Sequence, residues 1–238
     1  MAKHSLLLTA LGVTAACAAG YTVVPTIYNK RIRRDMVRTI PQQNAVMLTF
    51  DDGPDPRYTP ALLDLLKKEE VHATFFVVAD NARENPAIIK RMQAEGHTVA
   101  LHALSHRCAW LSSGRYTQYE FAQSVQILAS MGVTPRYYRP PWGYTNPHTL
   151  PTARRYGMRP ILWSVMAEDW SARSTADVIT DKLLARVKGG SIICLHDAGE
   201  NSGGAPGAPA RTIQALARVL PILKGRGYHF VTPQQVQL

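Results

Sequence analysis

Leu48-Thr49-Phe50-Asp51-Asp52-Gly53-Pro54, LTFDDGP, runs an apolar strand into two adjacent carboxylates and then breaks it with Gly-Pro. The stretch from Val46 to Phe50 has the β-branched and aromatic content of a buried strand. Neighbouring residues leaving a strand point to opposite sides, so the two acids are expected to meet different environments and different partners.

Outward from this stretch, apolar runs alternate with helical patterns. The runs are Val46 to Phe50, Ala73 to Ala79, Thr98 to Leu101, Tyr137 to Arg139, Pro160 to Val165, Ser191 to Leu195 and His229 to Val231. Thr59-Pro60 and Asn85-Pro86 open helices, Gly96, Gly132 and Gly225 close them, and Ser174 or Thr175 caps another. Strands alternating with helices predict parallel pairing, in a barrel or a doubly wound sheet. Asn201 to Pro209, with its Gly, Ser and Pro, reads as a loop. Polar residues sit at the strand ends: Asp51 and Asp52 after the first, His102 at the third, Arg139 at the fourth, Asp169 beyond the fifth and His196 at the sixth. In parallel α/β folds the carboxyl ends of strands converge on one face, where catalytic groups collect.

The 238 residues, 46% of them hydrophobic, suit one large α/β domain. A formal charge of +10 implies an anionic environment. The basic residues are spread over helices rather than interleaved with aromatics, so a solvated surface is favoured over nucleic-acid binding. Cys17, Cys108 and Cys194 leave one thiol unpaired and show no CxxC spacing, so neither a disulfide framework nor a zinc knuckle is indicated. A monomer is expected.

Ser5 to Tyr28 carries no charge and is long enough to cross a bilayer as a helix. Leu6 to Val13 followed by Ala16-Cys17-Ala18 also reads as a secretory peptide with its cleavage site, so residues 1–29 are a signal peptide or a membrane anchor. Residues 30–43 are read as a basic linker and 44–238 as the folded α/β domain. The expected location is the cell membrane or outside the cell, with the domain extracytoplasmic. Lys30, Arg31, Arg33, Arg34 and Arg38 weigh against this, because positive flanks stay in the cytoplasm, although the bias is not decisive for large domains.

His102-Ala103-Leu104-Ser105-His106 is an HxxxH pair, a spacing that puts two imidazoles on one side of a helical turn and can bind a metal. Ala103 stands where a protease-type HExxH carries its base, so the base must come from elsewhere, and the acids at 51 and 52 can supply both it and a third ligand. With TFDDGP, HALSH, RPPWG, EDW and CLHD in this order, the chain from about Asn44 to Val236 resembles the polysaccharide deacetylases, the NodB-homology carbohydrate esterases. The resemblance implies a distorted parallel (β/α)7 barrel, here preceded by an N-terminal apolar helix, and metal-dependent removal of acetyl groups from N-acetylated sugars.

The resemblance further implies Asp52, His102 and His106 as ligands of one divalent ion, zinc first, with cobalt, manganese or iron as alternatives. Such an ion lowers the pKa of water and polarises the amide. Asp51 then resembles the general base, held by Arg139, whose guanidinium favours the charged carboxylate. His196 resembles the general acid, oriented by Asp169. The backbone N–H of Trp142 corresponds to an oxyanion donor, and Trp170 to a wall of the acetyl pocket.

Each motif alone has a bland reading: Asp-Asp-Gly as a turn, a strand-end His as a satisfied core group, Arg-Pro-Pro as an extended loop. Their joint occurrence at strand ends is what disfavours it. His72, His97, His148 and His229 are read as structural, and Cys108 and Cys194 as small buried hydrophobes. Ala103 stands where the family commonly has Ser or Thr, Met166 where many members have an additional Asp, and Cys194 where Leu is usual; these departures bear on substrate identity. Peptidoglycan or chitin-like oligosaccharide is the expected substrate. The rivals are a non-catalytic surface glycan-binding protein, an O-acetyl esterase on acetylated xylan, and a non-haem iron oxygenase built on the two-His-one-carboxylate set.

Overall fold

The structure, a computed structural model, describes residues 2–32 and 36–238, with side chains from residue 9 onward. Arg33 and Arg34 of the basic flank lie outside the described residues. Strands β1 (Ala45–Asp51), β2 (Thr74–Val78), β3 (Thr98–Ala103), β4 (Tyr137–Tyr138), β5 (Arg159–Pro160), β6 (Val165–Met166), β7 (Ile192–His196) and β8 (His229–Phe230) form one sheet. Its order is β5-β4-β3-β2-β1-β7-β6, with β8 paired to β1. Every pairing is parallel, and the sheet curls into the expected distorted barrel with helices around it.

One predicted strand is corrected. Pro160 to Val165 does not run as a single element but divides into β5 and β6, the two ends of the sheet path. The backbone groups between them are engaged elsewhere: Leu162 N–H donates to the Val37 carbonyl at 2.7 Å, and the Ile161 and Leu162 carbonyls accept from the Arg139 guanidinium at 3.1 and 2.8 Å. A segment whose donors and acceptors are taken by other partners has none left for a ladder.

All of β1 is buried, and its side chains alternate between two cores. Val46, Leu48 and Phe50 pack among the helices with Leu62, Leu63 and Leu66 of helix Thr59–Lys68. Ala45 and Met47 face the barrel interior with Phe76, Ala100, Tyr137, Ile161 and Ile192. Phe50 and Phe75, both 0% exposed, stack with ring centroids 5.2 Å apart; truncating either to Ala removes about 3–5 kcal/mol of stability. Continuing the interior set through Thr49 brings Asp51 inside the barrel's end.

Caps fix the helices that surround this core. Pro60 lies in the first turn of Thr59–Lys68 and Pro86 in that of Pro86–Ala94, where a missing N–H costs nothing. Of the two candidate caps at 174 and 175, it is Thr175 whose side chain accepts from the Val178 N–H, opening Ala176–Arg186. At the amino end, helix Ala2–Tyr21 is followed by Val23–Ile27 and one π-helical turn, Tyr28–Ile32. The stretch Thr9–Ile32 is long and apolar enough to cross a membrane by length and composition. Within the stretch read as a basic linker, Met36, Val37 and Ile40 are buried, and Ile40 N–H donates to the Gly190 carbonyl at 2.9 Å.

Candidate active site

The carboxyl ends of β1, β3, β4, β6 and β7 carry the polar residues singled out above, and the backbone turns sharply there. Asp51 is the last residue of β1; Asp52 follows with φ 76, in the left-handed region. His106 and Trp142, each with φ 52, are likewise left-handed without being glycine. Such a backbone costs about 1–2 kcal/mol per residue and persists only where the surroundings over-determine it, as at functional sites. The HxxxH pair is not on a helical turn as its spacing suggested: His102 lies in β3 and His106 beyond the strand, and the left-handed step at His106 brings its ring back toward His102. Their ring centroids are 5.2 Å apart.

Asp52 Oδ1 lies 3.3 Å from His102 Nε2 and 3.0 Å from His106 Nε2. His102 Nδ1 sits 2.7 Å from the Arg139 carbonyl, and since a carbonyl can only accept, Nδ1 carries a proton and donates it, leaving Nε2 as the nitrogen that faces Asp52. A neutral imidazole turned this way offers its Nε2 lone pair to the site, and a divalent cation between it and the carboxylate would satisfy both. Consistent with this, Asp52 Oδ1 is buried without a hydrogen-bond partner. A carboxylate and two imidazoles with mutually close ligand atoms, all within 4.8 Å of one another, fit one divalent ion. The His102 bond to a main-chain carbonyl is the outer support such a ligand ordinarily has. Gly199, with φ 112, closes this side: a Cβ there would stand 2.6 Å from Asp52 Oδ2.

Asp51 has a different partner, as two acids on opposite sides of a strand end should. Its Oδ1 accepts from Arg139 Nη1 at 2.7 Å. Arg139, 0% exposed, also donates to Thr49 Oγ1 at 2.8 Å and to the Ile161 and Leu162 carbonyls, and its guanidinium stacks 4.0 Å from the Phe76 ring centre. The second oxygen, Oδ2, takes the Cys194 thiol at 3.4 Å. Burial first, then the Asp51 charge, push that thiol well above its ordinary pKa, so it stays protonated and donates. Cys194 is therefore buried as expected but is also a hydrogen-bonding partner of Asp51, a contact that sequence reasoning missed.

His196 closes β7. Its Nδ1 lies 2.9 Å from Asp169 Oδ1, while Asp169 Oδ2 accepts from the His196 N–H and from Thr212 Oγ1, each at 2.9 Å. Burial opposes the imidazolium, but Asp169, then Asp52 and Asp51, outweigh it and raise His196 to about 10. The next residue, Asp197, supports the turn after β1: Thr59 Oγ1 donates to its carboxyl at 2.5 Å, and a Cβ at Gly53 would stand 2.2 Å from it. Burial, then repulsion from Asp52 and Asp51, push Asp197 up to about 7.

Asp51, Asp52, His102, His106, Trp142, Trp170 and His196 line one cavity of about 230 Å³, with Arg139 and Asp169 directly behind Asp51 and His196. All nine residues singled out in the sequence thus meet in one place. Trp142 packs edge-on against His106 at 4.4 Å between ring centroids, and Trp170 edge-on against His196 at 5.2 Å. Among the described residues the Trp142 N–H has no acceptor, whereas the next two, of Gly143 and Tyr144, donate to the Pro140 and Pro141 carbonyls. Trp163 and the segment Ser202 to Gly204 also line the cavity and were not anticipated; the loop signal from Asn201 onward gave no hint that it reaches the site. A wider cleft of about 390 Å³ opens beside Asp52 and His106, lined by Asp55, Arg57, Asp80, Asn81 and Glu200 among others. His97 lies away from the site: its Nδ1 accepts from the Ala73 N–H, and burial lowers it to about 4.

The polysaccharide deacetylase family profile matches residues 38–161. The chain is 34% identical over 196 residues to a peptidoglycan-N-acetylglucosamine deacetylase of Bacillus cereus, an alignment covering 82% of this chain and 88% of that one. It is 36% identical over 203 residues to a chitooligosaccharide deacetylase of Sinorhizobium fredii, covering 82% and 94%. Among solved structures, the Bc1960 peptidoglycan N-acetylglucosamine deacetylase superposes with a TM-score of 0.78 at 32% identity, covering 89% of this chain and 96% of that chain.

Proposed function

The chain belongs to the polysaccharide deacetylase family and is a carbohydrate deacetylase; from that premise we propose that it removes N-linked acetyl groups from peptidoglycan or a chitin-like oligosaccharide at an ion held by Asp52, His102 and His106. The observation that carries this reading is the crowding of Asp52 Oδ1 by two imidazole nitrogens at 3.0 and 3.3 Å beside two separate ion pairs, Asp51 with Arg139 and Asp169 with His196. When bound, a divalent ion supplies Lewis acidity, polarising the acetyl carbonyl and acidifying water, and zinc suits the ligand set.

The chain's own residues divide the remaining work. Asp51, fixed by Arg139 and free of the ligand cluster, accepts the proton of the attacking water. The unpartnered Trp142 N–H is available to donate to the carbonyl oxygen as charge develops there. An amine anion is a very poor leaving group, so the nitrogen must be protonated as the bond to carbon breaks. His196, whose imidazolium the buried Asp169 carboxylate favours at 2.9 Å, carries that proton, and Asp169 aims it. Trp142, Trp163 and Trp170 supply apolar walls against which a sugar ring and an acetyl methyl pack.

The apolar helix beginning at Ala2 serves as signal or anchor, placing the domain outside the cytoplasm, where wall glycan is found. The test is acetate release from N-acetylglucosamine oligomers by the full chain with and without divalent metal: release only with metal supports the reading. Metal-independent release, or cleavage confined to O-acetylated xylan, overturns it.

A further inference from the structure

The segment that follows the apolar helix is built into the active-site wall. Tyr21 Oη donates to the Ser112 carbonyl at 2.7 Å, Thr26 Oγ1 to the Thr145 carbonyl at 3.0 Å, and Asn29 Nδ2 to Thr145 Oγ1 at 2.9 Å. In return, Trp110 Nε1 and the Thr145 N–H both donate to Thr26 Oγ1, at 2.9 and 3.0 Å. Thr26 and Asn29 are buried by these contacts, whereas residues 9–18 stand exposed. One turn further on, Lys30 Nζ donates to the main-chain carbonyl of Trp142 at 3.1 Å and lies 5.1 Å from the centre of the Tyr144 ring. The Lys30 carbonyl is itself held by the Arg38 guanidinium.

From this we infer that Lys30 is a positioning residue for the Trp142 peptide, and that the N-terminal segment is thereby a working part of the active site as well as a tether. The inference rests on the proposed role of the Trp142 N–H. Trp142 has φ 52 and ψ 9, a conformation that a bulky residue does not hold unaided. The turn bonds of Gly143 and Tyr144 close the loop but leave the Trp142 carbonyl to find another donor. An ammonium on that carbonyl holds the Trp142–Gly143 peptide plane, which is joined through the left-handed φ and ψ of Trp142 to the plane that carries the Trp142 N–H, so the contact helps to keep that N–H in its direction. Gly143, whose φ of 65 itself favours glycine, leaves room for the approach: a Cβ there would stand 2.7 Å from Lys30 Cε and 2.8 Å from Nζ, so the end of the lysine would have to move aside. Lysine suits the place because its narrow stem brings a charged donor past a glycine, and a charge-assisted bond is stronger than a neutral one.

The test uses the full chain in detergent, metal-loaded, with Lys30→Met, which keeps the stem and removes the donor, and Lys30→Arg, which restores a charged donor. Lys30→Met is expected to lower kcat on chitooligosaccharide on the order of 10-fold with KM unchanged, less than the roughly 10²–10³ lost when an oxyanion donor itself is removed; Lys30→Arg recovers part of the loss. A second readout does not depend on turnover. With fluorotryptophan incorporated and the Trp142 resonance identified by Trp142→Phe, Lys30→Met shifts or broadens that fluorine signal and leaves that of Trp170 in place. An active wild type with unchanged kcat in Lys30→Met, or an unmoved Trp142 signal, overturns the inference. If the wild type itself releases no acetate, the proposed function fails, and the fluorine spectrum still decides whether Lys30 holds the loop. Should Lys30→Met not fold, the same two readouts on Lys30→Leu, which also lacks a donor, decide the matter.

Discussion

Arg139 Nη1 lies 2.7 Å from Asp51 Oδ1 and both side chains are buried, Arg139 0% exposed behind the cavity and Asp51 3% at its wall. Four of the five guanidinium N–H donors are engaged, by Asp51, Thr49, Ile161 and Leu162. A buried pair so held is tolerated, but removing one partner strands the other. Arg139→Met is therefore expected to cost about 3–5 kcal/mol, read as a lower urea midpoint at unchanged slope. Asp51→Asn keeps the volume and one acceptor, so it is expected to fold and to lose acetate release by about 10²–10⁴. A folded Asp51→Asn with wild-type turnover removes Asp51 as the base.

His196 and Asp169 form the second pair, and their role predicts a dependence on the leaving group. A departing amine needs a proton, while a nitrophenolate does not. His196→Ala and Asp169→Asn are expected to slow amide hydrolysis of N-acetylglucosamine oligomers by about 10²–10⁴ and to spare 4-nitrophenyl acetate much more. Equal losses on both substrates mean that His196 binds or shapes the site without delivering a proton.

Much of this site is legible in the amino-acid sequence because its chemistry sits at strand ends. The apolar run from Val46 to Phe50 announces β1, and a polar residue where such a run stops has few places to be other than the barrel's rim. What is not legible depends on contacts between distant segments or on backbone that leaves no signature. Left-handed Asp52, His106 and Trp142 carry no glycine to mark them, so the HxxxH spacing suggests a helical turn where the chain has a strand followed by a reversal. Pro160 to Val165 has strand composition throughout; only Arg139 and Val37, claiming its carbonyls and an amide, divide it. Lys30 beside Trp142 joins residues with no shared sequence pattern.

Cys194 supplies a chemical test of the interior. Its thiol donates to Asp51 Oδ2, and burial together with that charge keeps it protonated. Since only the thiolate alkylates readily, Cys194 is expected to remain unmodified by iodoacetamide at neutral pH in the folded chain and to react after denaturation. Peptide mass spectrometry reads both states. Rapid labelling of Cys194 in the native protein contradicts the buried contact.

Stability against pH has a contributor far from the site. His97, 7% exposed, is lowered by burial to about 4, against an ordinary 6.5. Between these values the unfolded chain binds a proton at this position and the folded chain does not, so stability rises with pH through this window. The contribution is complete above about 6.5 and is lost as pH falls toward about 4. Asp197 opposes it: its folded value near 7 lies above the ordinary 3.8, so its contribution is complete below 3.8 and fades as pH rises toward 7. Replacing His97 with Gln removes the first contribution alone. The difference in unfolding free energy between wild type and His97→Gln is expected to shrink from pH 7 to pH 4.5, by urea titration at each pH. A difference that stays constant shows that His97 does not titrate between folded and unfolded states.

The central claim is that one ion, placed by Asp52, His102 and His106, works beside Asp51 to hydrolyse the acetamide of a glycan. Mass spectrometry of N-acetylglucosamine oligomers after incubation tests it most directly, comparing metal-loaded wild type, chelator-treated wild type and metal-loaded Asp52→Ala. Stepwise loss of acetyl mass is expected with the first alone, returning when metal is given back to the second. Equal loss with all three, or none with the metal-loaded wild type, would contradict the account.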